Sequence, residues 1–218
     1  MVTGPSLFDL LPEADRGALL TTTRRRRFRR SDTIFHEGDP GDALHVISQG
    51  IVAIRVTTPL GDVATVSVLG PDDAFGEHAA IVDGAARSAS AVAVTQVETL
   101  AISRPAFDDL RDHHPRVERL IVAMLAQQVH RTTEHLLEAL YVPADKRILR
   151  RLLQLQGIGG AAADAPLPFT QEDIASLAGT TRPTVNRVLT RLRDDHLIEL
   201  ARGSVTVLDR AAIARRAR

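Results

Sequence analysis

The sequence predicts an α+β chain: a small N-terminal β-barrel of jelly-roll type, one long helix, and a C-terminal winged helix-turn-helix. Three observations carry this reading. Between about Asp32 and Ile102, short β-type runs alternate with glycine-rich turns. From Pro115 to Tyr141 the apolar residues recur every three or four positions. From Thr170 onward, two short amphipathic segments flank a glycine and lead into a hairpin pattern. The implied boundaries are 1–114, 115–142 and 143–218.

Composition limits the function classes. With 44% hydrophobic and 25% charged residues in 218, the chain is globular. Aromatic residues make up 3% and Trp is absent, so the core must be aliphatic. Cys is absent, which excludes disulfides, thiolate nucleophiles and cysteine-held iron–sulfur clusters. No apolar run approaches the ~20 residues that span a bilayer, and the N-terminus lacks the order of a signal peptide. A cytoplasmic protein without a membrane partner is expected. The net charge of zero conceals an asymmetry: residues 143–218 carry 13 Lys or Arg against 8 Asp or Glu, and residues 1–142 carry 14 against 19. An excess of +5 in the C-terminal part suits contact with a polyanion.

The N-terminal elements follow in order. The segment before Asp32 reads as helical or mixed, with a helix start at Pro12-Glu13-Ala14-Asp15. Arg24 to Arg30 reads as a solvated edge strand leading into the barrel, with a nucleic-acid patch as the alternative. Strand-like runs are His45–Ile47, Ile51–Val56, Val63–Leu69 and Ala89–Val97, with turns at Gly38–Asp42 and Pro59–Asp62. Within this region, Phe75-Gly76-Glu77 precedes Arg87-Ser88. Glycine lets backbone N–H groups approach an anion, arginine offers a planar fork for phosphate, and a carboxylate accepts from sugar hydroxyls. Together they read as a pocket for a sugar phosphate.

The long helix carries Val117, Leu120, Ile121, Met124, Leu125, Val129, Leu136, Leu137 and Leu140 on one stripe. Pro115 suits its first turn and Pro143 marks its stop. At about 40 Å it is longer than a small domain needs. The stripe points to packing against a second copy as a coiled coil; the alternative is a helix packed wholly on its own barrel.

The C-terminal part opens with a helix over Arg147–Leu155, then a Gly-Ala-Pro loop over Gly157–Pro168. Thr170 is the predicted N-cap of the next helix, with Gln171, Glu172 and Asp173 in its first turn. Gly179 supplies the turn, and Thr181 caps a second helix with Arg182 and Pro183 in its opening turn. Small Ala175 allows the helices to cross, and Val185 and Val188 pack back. The outer face carries Arg182, Thr184, Asn186, Arg187 and Arg191, which points to a DNA reader rather than a plain αα-hairpin. Leu197–Leu200 and Val205–Leu208 flank Ala201-Arg202-Gly203-Ser204, a hairpin wing whose Arg202 can reach phosphates.

These motifs, in this order, make the whole chain similar to the cyclic-AMP receptor protein/FNR family of bacterial transcription regulators. Phe35-His36-Glu37-Gly38-Asp39-Pro40-Gly41-Asp42-Ala43-Leu44 through Gly50 resembles the start of its cyclic-nucleotide-binding domain. Phe75-Gly76-Glu77 with Arg87-Ser88 resembles its phosphate-binding cassette, and Thr181 to Leu189 its recognition helix. The resemblance implies roles. Glu77 accepts the ribose 2′-hydroxyl; Arg87 pairs with the cyclic phosphate, aided by Ser88 and the Gly76 backbone. Thr132 and Thr133 fall where cyclic-AMP-responsive members set two hydroxyls against adenine, one typically from the partner subunit. It further implies cyclic AMP as effector, a homodimer on near-palindromic double-stranded DNA, RNA polymerase as a partner, no metal and no catalytic residues. Pro183 replaces the glutamate that accepts from cytosine N4 in the best-known members. His78 stands where an apolar residue is usual, either as a rim residue or as the mark of another ligand such as haem; no second axial ligand is apparent.

Two alternatives remain from the residues. A cupin-type metal enzyme wants His-x-His with a later Glu, and no His-x-His occurs. His130-Arg131-Thr132-Thr133-Glu134-His135 does not have zinc-protease spacing. The other is a regulator of the same build that senses another ligand or none.

Overall fold

The computed structural model describes residues 23–82, 84–113, 116–158 and 165–218. The chain forms two compact units. One runs to Val56 and resumes over Leu69–Arg131; the other holds Thr57–Val68 and Thr132–Arg218.

Eight strands build the N-terminal architecture: β1 (Arg24–Phe28), β2 (Thr33–Phe35), β3 (Ala43–Gln49), β4 (Val52–Thr57), β5 (Val63–Leu69), β6 (Ala74–Phe75), β7 (Ser90–Ala93) and β8 (Val97–Ser103). They pair as two four-stranded sheets of order β1-β8-β3-β6 and β2-β7-β4-β5. The expected barrel is therefore two separate sheets in a jelly-roll-like arrangement, not a closed cylinder. The predicted run Ala89–Val97 holds one strand, β7, and a corner, and its last residue opens the next strand, β8. The chain leaves one sheet at Ala93 and enters the other at Val97, and the Thr95 hydroxyl accepts from Ile51 N at the corner (2.9 Å). Alternation of apolar residues continues across such a corner, so periodicity does not reveal it. The predicted helix start at Pro12 lies outside the described residues. The first strand, Arg24–Phe28, is the exposed edge strand expected over Arg24–Arg30, with Arg25 and Arg27 both paired to Glu98.

Strand β3 is buried over five consecutive residues, Ala43–Ile47, because both its faces are covered. Leu44 and Val46 pack with Ile102, Phe107 and Leu110, the last two from helix α2 (Arg104–His113). Ile47 packs on the other side with Val52, Phe75, Ala91, Ala93 and Val97. Between β6 and β7 lies a one-turn helix, α1 (Glu77–Ile81).

The long helix is α3 (Arg116–Tyr141), close to the expected span. The C-terminal module contains α4 (Ala144–Gly157), α5 (Gln171–Leu177), α6 (Arg182–Asp194), the hairpin β9 (Ile198–Ala201) and β10 (Ser204–Val207), and α7 (Arg210–Arg216). Its core is mainly aliphatic, with Ile148, Leu152, Leu155, Ile174, Val185, Leu189, Ile198 and Ile213 fully buried, and it also encloses the ring of Phe169. Helix α7 was not expected from the sequence; Asp209 caps it by accepting from Ala212 N (2.8 Å).

Candidate functional site

Arg87 is the centre of the N-terminal site. Its main chain is pinned by residues far away in sequence: its N–H donates to Asp39 O (2.8 Å) and its carbonyl accepts from Gly38 N (2.9 Å). Its side chain turns inward. Nη2 donates to Asp42 Oδ1 and to Ala43 O, each at 2.8 Å, and Nη1 donates to Gly76 O at 3.1 Å. The guanidinium lies over the Phe35 ring, 4.1 Å from its centroid. Nε is buried and meets no acceptor among the described residues. Such an unmet buried donor costs about 1–3 kcal/mol until an acceptor arrives.

Gly76 makes this arrangement possible. Its φ of +82° sends the chain from β6 into α1, and a Cβ there would stand 2.4 Å from Arg87 Nη1. A buried guanidinium with a spare N–H, beside a glycine, is a donor set suited to a phosphate diester. The residues present therefore fit the cyclic phosphate that the sequence resemblance implies. Glu77 opens α1 and is half-buried; Ser88 follows Arg87 and is exposed, as is His78. Thr132 and Thr133 lie on the exposed surface of α3 and belong to the second unit.

His45 was missed as a site residue. It is buried on β3, stacks on Phe75 (5.1 Å between centroids, 15° between planes), and its Nδ1 is 3.1 Å from Thr99 Oγ1. Burial, then the charges of Arg87 and Arg26, pull its pKa down to about 4. The ring near the guanidinium is therefore neutral at physiological pH. The available signal was a single histidine inside the otherwise apolar run Ala43–Ile47.

The C-terminal site is built by two helices and a hairpin. Thr170 caps α5 through a reciprocal pair: its Oγ1 accepts from Asp173 N (3.1 Å), and Asp173 Oδ2 accepts from Thr170 N (3.0 Å). Gln171 Nε2 donates to Asn186 Oδ1 (3.3 Å), tying α5 to α6. Gly179, at φ +57°, forms the turn. Thr181 stands at the N-cap position of α6, yet its hydroxyl pairs with that of Thr184 (3.1 Å) and makes no capping bond to the backbone. Pro183 in the opening turn has no N–H to be capped, which reduces the need for one. Arg182, Asn186 and Arg187 are exposed on the outer face, and Thr184 is half-buried. A cleft of about 460 Å³ brings Thr170, Gln171 and Arg182 together with Ala201, Gly203 and Ser204 of the wing. Arg202 is exposed in the turn of that wing.

Sequence reasoning also missed an arginine clamp. Arg147 of α4 donates to Val142 O (2.7 Å) after the long helix, and to Ala178 O (2.7 Å) and Gly179 O (2.8 Å) at the end of α5. Arg151 is buried, bonded to Leu177 O (3.0 Å) and paired with Glu138 of α3, which also holds Arg150 (2.9 Å). Two arginines one turn apart at the start of a helix look like ordinary surface charge in the sequence.

Among the described residues, no helix is long and apolar enough to cross a membrane, and no group of three or more His, Cys, Asp or Glu could hold a metal ion.

Comparison with known proteins agrees with this layout. Residues 25–114 match the cyclic nucleotide-binding domain, and residues 146–216 match the Crp-like helix-turn-helix domain. The chain is 35% identical over 195 residues to a CRP-like cAMP-activated global transcriptional regulator of Mycobacterium tuberculosis, covering 88% of the chain and 87% of that protein. It is 34% identical over 213 residues to the cyclic AMP receptor protein of Thermus thermophilus, covering 96% and 95%. Among solved structures, a CRP-family transcriptional regulator of Thermus thermophilus superposes with a TM-score of 0.75 at 30% identity, covering 88% of the chain and 96% of that structure.

Proposed function

We propose, from the premise that the chain belongs to the CRP/FNR family of DNA-binding transcription regulators with a cyclic nucleotide-binding domain, that its effector is cyclic AMP and that it works in the cytoplasm as a homodimer. The observation that carries the reading is the buried Arg87 guanidinium beside Gly76, with its unmet Nε. Two relatives above 30% identity named for cyclic AMP support the choice of nucleotide.

When bound, the nucleotide supplies an anionic phosphodiester, a ribose hydroxyl and a flat base. Arg87 and the backbone at Gly76 hold the charge, with Ser88 adding a hydroxyl. Glu77 accepts the ribose hydroxyl. Thr132 and Thr133 meet adenine, one of them from the second copy. The long helix supports that pairing. Val122, Val129 and Leu136 recur at seven-residue steps and are exposed, as is Leu125 three residues after the first. Thr132 falls seven residues after Leu125, in the same seam. A polar residue in such a seam reduces packing and fixes register, and here it brings a hydroxyl to the subunit junction.

The paired recognition helices α6 then read successive major grooves about 34 Å apart on a near-palindrome. Arg182 and Arg187 are the base readers, each worth about 1–3 kcal/mol of discrimination at guanine, while Pro183 has no acceptor for cytosine. Thr170, Gln171, Thr181, Thr184, Asn186 and Arg202 flank them and position the backbone. Cyclic AMP shifts a two-state equilibrium by its difference in affinity for the two states, and RNA polymerase is the downstream partner. Calorimetric titration with cyclic AMP and cyclic GMP tests the reading. The wild type should bind cyclic AMP more tightly, and Arg87→Ala should lose the heat of binding; unchanged affinity in that variant rejects the pocket.

A further inference from the structure

We infer that Asp145 is a specificity-determining residue for DNA, holding Arg187 for a base edge and keeping phosphate away from it. The inference rests on the reading of Arg187 as a base contact. Asp145 lies in the first turn of α4. Its Oδ1 accepts from Arg187 Nη2 at 3.4 Å, and its Oδ2 stands 3.8 Å from Arg191 Nη1. One carboxylate thus spends both oxygens on two arginines of the recognition helix that are one turn apart. The first turn of a helix favours an acid by itself, which accounts for an acid here but not for its direction.

The side chains are 45%, 58% and 67% exposed for Asp145, Arg187 and Arg191, so the pairing is screened and contributes little to folding. Its consequence lies at the DNA face. Two guanidinium groups with one carboxylate leave a single net positive charge where two alone would leave a double one. Non-specific binding is almost wholly phosphate contact and counterion release, so it is the mode that the carboxylate weakens most. In the specific complex, one edge of Arg187 is committed to Asp145 and the rest of the fork is already oriented, which lowers the ordering cost of a base contact. A phosphate approaching the same edge meets the carboxylate instead. Asp145 thereby separates the two affinities from both directions.

The test uses the full chain with saturating cyclic AMP, a duplex selected from a random pool, and a scrambled duplex of equal length, in fluorescence anisotropy across a salt series. Asp145→Asn keeps size and helix-start polarity. It should bind scrambled DNA about five- to tenfold more tightly and the selected duplex within about twofold, and the slope of log K against log salt on scrambled DNA should steepen by about one. A fall of the specificity ratio supports the inference; a ratio that is unchanged or rises overturns it. Asp145→Ser, also well tolerated at a helix start, is the second variant should Asn misfold. Arg187→Ala separates the two readings. If it leaves base preference intact, the base-contact reading fails. If it relaxes preference while Asp145→Asn leaves the ratio unchanged, only the role of Asp145 fails.

Discussion

Arg87 and Asp42 meet at 2.8 Å, with the guanidinium side chain 1% exposed and the carboxylate 71% exposed. The two ends of this pair are not equivalent. Arg87 is fixed by Ala43 O, Gly76 O and the Phe35 ring as well, so it keeps its place without Asp42. Asp42 is a hydrated surface group that partly cancels the charge a phosphate would feel. Asp42→Asn should therefore tighten cyclic AMP binding by about fivefold, the equivalent of about 1 kcal/mol for a screened ion pair. The same change should lower the melting temperature of the free protein by about 2–4 °C. Calorimetry and a thermal melt check both; weaker binding would show that Asp42 orients the site.

Gly76 is a second point of control. A side chain there must adopt φ near +82° and also displace Arg87 Nη1. Gly76→Ala should cost about 1–2 kcal/mol of stability from the backbone alone. It should also weaken nucleotide binding by more than about tenfold, because the fork must move from its carbonyl partner. Far-UV circular dichroism and calorimetry on the same sample separate the two effects.

The pH dependence of folding should carry the signature of His45. Its folded pKa, about 4, lies below the unfolded 6.5, chiefly through burial. The folded state therefore binds fewer protons, so the contribution to stability is complete above pH 6.5 and falls as pH drops toward 4. The full loss across that window is about 3 kcal/mol. Chemical denaturation at stepped pH measures it, and His45→Phe should flatten the curve between pH 6.5 and 4. An equal slope in that variant would assign the effect to other groups.

The clamp at the base of the DNA-binding module gives a prediction on stability alone. Burial works against the charge of Arg151, and Glu138 opposes that effect. Glu138→Ala leaves Arg151 buried without its carboxylate and should cost about 3 kcal/mol. The loss should appear in the melting of the C-terminal module, with cyclic AMP affinity changed by less than about twofold. A large loss of nucleotide affinity would contradict the assignment of this cluster to the module.

Much of this was legible in the sequence, for reasons that differ by element. The strand Val63–Leu69 and the wing were readable because alternation and turn residues are local signals. Thr170 and Gly179 were readable because capping and left-handed turns select few residue types. The division of Ala89–Val97 was not, because a strand changing sheets keeps its alternation. The capping role of Thr181 failed because a neighbouring hydroxyl competes for the same oxygen. His45, Arg147 and Arg151 were invisible for another reason. Their partners, Thr99, Ala178 and Glu138, lie between 13 and 54 residues away, and only the fold brings them within reach.

Ligand control of DNA binding requires that a charge held at Arg87 be felt at α6. The most direct measurement is the affinity of the wild type and of Arg87→Ala for a selected duplex, by anisotropy, as cyclic AMP is raised. Wild-type affinity should rise by about tenfold or more, within the usual range of coupling between sites, while the variant stays at its starting value. Equal wild-type affinity with and without the nucleotide, or an undiminished response in Arg87→Ala, would contradict it.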